Sequence, residues 1–354
     1  MSGEDQQQNQ PQNQQQPVQV SIPHGYQIKK HVQFKLADDK EPLQKVNNED
    51  GSVGELFYVE KVKPDGQPKL GPDDQPILYL EKPHASDKQA QGLIEALSTA
   101  LYGLIGPPNS AAKARVREAP ESDDDSKITV VTKYAQRYRH VEERDCVATQ
   151  TNLTVHLVMQ YLFEDADLNC GNLLISSDNP KQTIRIDLGW SLADFGGLYS
   201  WGKTNFTGRP NKSNNHLFPI SPLDLARFPN YIIAKPYNVF YFNKKTAEST
   251  AVLQQMSEDP AFTKTAHQYF LKALLFDKTL LDPVTHAFML NGDDKSTVGD
   301  YLKDRFAALQ RALMQVPAFR KNVCDDKIFS EYEENILAEF AAYNQEYENK
   351  LAKD

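Results

Sequence analysis

The chain has 354 residues, more than one typical domain, and 40% of them are apolar, which is ample for a sizeable core. Its 48 acidic residues against 39 basic ones give a net charge of −9 and argue against a general nucleic-acid binder. Three dispersed cysteines, Cys146, Cys170 and Cys324, offer no disulfide framework and fit a reducing compartment.

The amino-terminal stretch MSGEDQQQNQPQNQQQP is Gln/Asn-rich and cannot bury apolar surface, so residues 1–22 are expected to be a disordered tail. It has no basic region followed by an apolar run, so no secretory signal peptide is visible. No run of about 18 apolar residues occurs anywhere, and no spanning helix is expected.

Three β-like runs follow, at Val32 to Leu36, Glu55 to Val62 and Ile77 to Lys82, separated by turn-rich NNEDGSVG and KPDGQPKLGPDDQP. Next comes the clearest helical pattern. Ser86 and Gln89 form a capping box, and Ala90, Leu93, Ile94, Leu97, Leu101, Leu104 and Ile105 fall on one stripe until GPP at Gly106 to Pro108 ends it. ARVRE and KITVVTKY read as two more strands around the acidic turn ESDDD. From about Cys146 the pattern is helical, first over Thr149 to Phe163. After a short hairpin, Gly189 to Pro236 is irregular and rich in Gly, Asn and Pro, and helices then run to the end. Strands with one helix, followed by a mostly helical remainder, predict an α+β fold in two lobes.

The stretch DADLNCGNLLI, Asp165 to Ile175, alternates acceptor side chains as a calcium loop does. Calcium is excluded, because the sixth position is Cys170 where glycine is needed and the twelfth is Ser176 where glutamate is needed. Beyond Asn172 the chain reads LLI, then SSDNPKQ, then TIRI, then Asp187. Folded about Asn179-Pro180, this is a hairpin that sets Asn172 opposite Asp187. Directly opposed residues have Cβ atoms about 5 Å apart, close enough to share one cation. Asp167 precedes Asn172 by five residues, which gives the spacing D-x-x-x-x-N, hairpin, D-x-G.

In these residues the chain resembles the protein kinase-like superfamily. The likeness is strongest to the divergent branches with a phosphoinositide-kinase-like loop and to remote kinase-like effectors of intracellular bacteria such as Legionella. The resemblance, which covers about residues 30 to 245, implies a β-rich first lobe with one amphipathic helix (residues 23–140) and a catalytic part of a helical second lobe (141–245); beyond it, residues 246–354 are expected to form a further helical region for a protein partner or a lipid. It implies ATP with Mg²⁺ or Mn²⁺. Asn172 and Asp187 would hold the metal, and Asp167 would orient the acceptor hydroxyl, with Asp165 a rival whose spacing to Asn172 is seven. The literal DFG at Asp194 to Gly196 reads as a decoy: seven residues beyond Asp187 is up to about 23 Å of extended chain.

A kinase-like fold needs a strand lysine for the phosphates, and Lys82 fits, with Leu78 and Leu80 on its face to wall the purine. Glu95 is the natural acid on the next helix, although the helical wheel sets it about 140° from the apolar stripe. GSVG, Gly51 to Gly54, is only a partial phosphate loop, and H-R-D and A-P-E are absent from the sequence. Lys133, Arg137, Arg139, His140 and Arg144 concentrate positive charge and suggest a polyanionic activator or an anionic lipid. The eight histidines form no zinc motif.

The last helix, from a Ser330/Glu333 capping box, carries an apolar stripe from Phe329 to Tyr347 and a glutamate run similar to the acidic export signals of Legionella type IV secretion substrates. The expectation is therefore an atypical kinase, acting as a bacterial effector on a host protein and reaching the host by secretion. A lipid kinase on the same fold and a silent pseudokinase scaffold, binding a membrane or a protein partner, are the alternatives.

Overall fold

The structure is a computed structural model. It describes residues 33–36, 57–71, 74–84, 89–118, 128–133, 135, 137–141, 153–165, 168, 170–189, 191–192, 218, 220–230, 253–275, 281, 285 and 297–324. The Gln/Asn-rich tail, Gly51 to Gly54, Arg144, Asp167, the DFG at Asp194 and the last predicted helix lie outside the described residues.

The fold is α+β. Strands β1 (Gln33–Leu36), β2 (Phe57–Val62), β3 (Leu78–His84), β4 (Ala114–Glu118) and β5 (Ile128–Lys133) form one antiparallel sheet in the order β1-β2-β3-β5-β4. β3 and β5 run side by side, with Leu80 opposite Thr132, Lys82 opposite Val130 and His84 opposite Ile128. Because side chains alternate across a strand, Leu80, Lys82, His84, Thr132, Val130 and Ile128 share one face.

Helix α1 (Gln89–Ile105) covers that face, ending where Gly106 follows, and it also touches α4 (Pro260–Leu275). This explains why every residue from Gly92 to Ser98 is buried. A helix set between a sheet and another helix has no single wet side, so the wheel misplaces Glu95. Only 6% of that side chain is exposed.

Helix α2 (Leu153–Phe163) has all eleven residues buried and packs on α4. Its exit is fixed by backbone and side chain together. Glu164 adopts φ +52°, the Asp165 amide donates to the Gln160 carbonyl at 3.0 Å, and Gln160 Nε2 donates to the Asp165 carbonyl at 3.1 Å. From α5 (Val298–Leu313), Arg305 donates to the Tyr161 carbonyl at 2.6 Å and the Leu162 carbonyl at 3.1 Å. It thus satisfies carbonyls that a helix end leaves open. Arg305 also pairs with Glu164 at 2.7 Å, and Tyr301 donates to the same carboxylate oxygen at 2.5 Å.

The stretch expected to be irregular contains a five-residue helix, α3 (Pro222–Ala226), capped by Ser221, which accepts from the Asp224 amide. It packs on α5, and α6 (Pro317–Cys324) packs on α4. One continuous apolar core runs from α1 and β4 through α2 and α4 to Val323. Among the described residues, the helices after position 246 are thus part of this core.

The expected hairpin is present as β7 (Leu173–Ser176) and β8 (Thr183–Arg185), preceded by a 3-10 turn at Cys170–Asn172. Its register differs by one residue from the symmetric reading. Leu173 faces Arg185, Leu174 faces Ile184 and Ile175 faces Thr183, so Asn172 comes level with Ile186, whose amide donates to the Asn172 carbonyl at 3.0 Å. The turn centres on Asn179 instead of on the Asn-Pro bond. Ser176 Oγ accepts from the Asp178 and Asn179 amides, and Asn179 Oδ1 accepts from the Lys181 amide. Such side-chain-to-backbone turns can displace a hairpin from the symmetry of its sequence. A third strand, β6 (Tyr138–His140), lies within the basic cluster and pairs with β7, not with the five-stranded sheet.

Candidate functional site

Two carboxylates from different elements, Glu95 and Asp187, meet at Lys82. Its Nζ lies 2.9 Å from Asp187 Oδ1 and 3.5 Å from Glu95 Oε2. β3 supplies the ammonium, α1 the inner carboxylate, and the residues after β8 the outer one. Glu95 is further held by Thr132 on β5, whose hydroxyl donates to Oε1 at 3.4 Å. Leu80, half-buried, stands one alternation before Lys82 on the same face.

The electrostatics separate the two acids. Burial pushes the Glu95 carboxyl above the usual range, against the opposing pull of Lys82, and the Asp187 charge adds to the rise. Burial also works to raise Asp187, but the Lys82 ammonium, with Arg185 and His84 behind it, holds it below the ordinary value. Burial works to lower Lys82, yet Asp187 and then Glu95 outweigh it and hold the ammonium above its ordinary value. The site therefore keeps a protonated amine beside an ionised Asp187. Asp187 is the most open of the three, with 38% of its side chain exposed.

The Asp187 backbone has φ +54°, a conformation that non-glycine residues rarely adopt and that tends to persist where surrounding contacts enforce it. Two such contacts are visible. Leu188 is buried in the core, and a Cβ on Gly189 would lie 3.1 Å from Gln91 Cγ, so the chain after Asp187 runs closely against α1. The left-handed turn also breaks the strand alternation, which lets Asp187 reach Lys82 despite the shifted register.

Arg185 was not anticipated from the sequence. It is fully buried and binds Asp165 through two contacts, Nε to Oδ2 at 2.8 Å and Nη2 to Oδ1 at 3.1 Å. Its Nη1 donates to the carbonyls of Asn172, at 3.0 Å, and Ile186. One guanidinium thus ties the turn before Asp167, the residue Asn172 and the residue before Asp187 to each other. Asp165, the rival for the acceptor-orienting role, is fully buried and committed to this pair, which removes it from that role. The only sequence signal was an arginine in the otherwise apolar run TIRI, a position that demands a buried acid.

Lys133, Arg137 and His140 of the basic cluster are exposed, and Arg139, partly covered, donates to the His140 carbonyl at 3.1 Å. Among the described residues, no group of three or more His, Cys, Asp or Glu side chains could hold a metal, and no helix is long and apolar enough to cross a membrane.

A family model described as LepB N-terminal domain matches residues 98–221, less than half of the chain. The match begins after Lys82 and Glu95 and includes Asn172, Arg185 and Asp187. A comparison with curated proteins finds no match.

Proposed function

We propose that the chain is an ATP- and Mg²⁺-dependent phosphotransferase on a bilobal kinase-like fold, a bacterial effector that phosphorylates a host protein. The observation that carries this reading is Lys82, set between an inner carboxylate on α1 and an outer, ionised carboxylate after the hairpin. The kinase-like resemblance assigns these positions the roles of phosphate-binding lysine, helix acid and metal-binding aspartate.

In this reading Glu95 orients Lys82 towards the phosphates of ATP, with the apolar Leu80 beside the purine. Asn172 and Asp187 would hold Mg²⁺. Hard oxygen donors that include a single carboxylate suit a Mg²⁺ ion completing its shell with phosphate oxygens and water, not a cage made by protein alone. The ion would neutralise charge on the triphosphate. Lys82 exchanges its contact with Asp187 for phosphate oxygens as nucleotide enters. Asp167 accepts a hydrogen bond from the acceptor hydroxyl and receives its proton. The bond from that oxygen to the γ-phosphorus forms as the bond to ADP breaks.

A phosphoinositide acceptor is a second reading, supported by the exposed Lys133 at the end of β5 and the exposed Arg137 just before β6. Transfer from γ-labelled ATP to separated protein and lipid fractions of host cells tests both. Label in protein that requires Mg²⁺ and is lost in Asp187→Ala supports the first, and label in lipid supports the second. Label in neither fraction favours a silent scaffold.

A further inference from the structure

Helix α1 contains two glycines in its interior, a position where alanine is otherwise preferred. A Cβ on Gly103 would meet nothing within 4 Å. A Cβ on Gly92 would lie 2.9 Å from His84 Cδ2, 3.0 Å from Ile128 Cδ1 and 3.1 Å from Val130 Cγ2. Gly92 is one helical turn before Glu95, and His84 is two residues beyond Lys82 on the same face of β3. The close approach of helix to sheet therefore occurs beside the ion pair.

We propose that Gly92, seated on His84, Ile128 and Val130, is a positioning residue that sets the height of Glu95 over Lys82. The proposal deepens the phosphotransferase reading and rests on it for its consequence in nucleotide binding. The geometry leaves little slack: Lys82 to Glu95 is 3.5 Å, already at the outer edge of a useful contact, whereas Lys82 to Asp187 is 2.9 Å. Alanine at position 92 forces either the His84 ring or the helix to move. His84, on the central strand β3, and the β-branched Val130, on the neighbouring β5, are both buried, so the helix is the freer partner. A lift of a few tenths of an ångström releases Glu95 and leaves Asp187, which comes from another element, in contact with Lys82.

The test is a double-mutant cycle on the full chain with Gly92→Ala and Glu95→Gln, and with Gly103→Ala as the helix control. Urea unfolding without nucleotide is the first readout. The shift that Glu95→Gln causes in the unfolding midpoint should shrink by half or more in the Gly92→Ala background and stay unchanged in the Gly103→Ala background. Mg²⁺-ATP affinity is the second. Gly92→Ala should weaken it about tenfold, a change of about 1.4 kcal/mol, with little added by Glu95→Gln. Adding Ile128→Val to Gly92→Ala, which removes one of the crowding atoms, should restore part of the loss. Additive midpoint shifts in both backgrounds would overturn the proposal. A parent protein that binds no Mg²⁺-ATP would instead remove the functional reading, and the unfolding cycle would still decide the role of Gly92.

Discussion

Replacing Arg185 by methionine keeps much of the side-chain volume and removes the guanidinium from a fully buried site. Asp165 is then left buried with its charge uncompensated, and removing one partner of a buried pair costs about 3–5 kcal/mol. The carbonyls of Asn172 and Ile186 lose a charged donor as well. We expect Arg185→Met to cost about 4 kcal/mol. At a slope of about 3 kcal/mol per molar urea, this lowers the unfolding midpoint by more than about 1 M. The double variant Arg185→Met/Asp165→Leu separates the causes. Exchanging a buried ion pair for apolar groups is often close to neutral, so it should recover to within about 2 kcal/mol of the parent. Its remaining deficit would come from the two carbonyls. A cost below about 1 kcal/mol for the single variant, or a double variant no more stable than the single, would refute the buried-clamp argument.

Two buried histidines predict acid sensitivity. Burial and the nearby Arg185 charge lower His156 to about 3, and burial lowers His267 to about 4. The unfolded imidazoles take up protons near pH 6.5 and the folded ones only near those lower values, so the unfolded state holds the extra protons in between. Stability is therefore fully present above about pH 6.5 and falls with pH, by about 2 kcal/mol per histidine at pH 5. His156→Gln, which retains a polar partner for Thr183, should reduce the slope of stability against pH between 4.5 and 6 by about one proton. An unchanged slope would contradict the buried neutral ring. Tyr301→Phe removes a donor from Glu164 but leaves the Arg305 pair, and should cost about 1.5–3 kcal/mol in urea unfolding.

Much of the local structure was legible. Strands β1 to β5 and helix α1 announced themselves by alternation, turn residues and the stripe from Leu93 to Ile105, and the position of Lys82 on β3 followed from the same pattern. Glu95 was legible by its position and misplaced by its wheel angle, because the wheel assumes one buried side and α1 is covered by both a sheet and a helix. The hairpin was legible, but its register was not, since a turn built on Asn179 and Ser176 side chains displaces the pairing by one residue. Arg185 and Arg305 were missed for a common reason. Each bonds acids or carbonyls far away in sequence, and periodicity carries no information about such partners. The spacing from Gly92 to His84 also depends on tertiary packing, and a lone glycine in a helical pattern gives only a weak hint of it.

The most direct test of the central claim is thermal unfolding with and without Mg²⁺-ATP on the parent protein, Asp187→Ala and Asp194→Ala. Nucleotide at a hundred times its dissociation constant adds about 2.7 kcal/mol, enough to move the melting temperature visibly. The account predicts a Mg²⁺-dependent rise in the parent that survives Asp194→Ala and disappears in Asp187→Ala. A rise that survives Asp187→Ala, or a parent that shows none even in host extract filtrate, would contradict it.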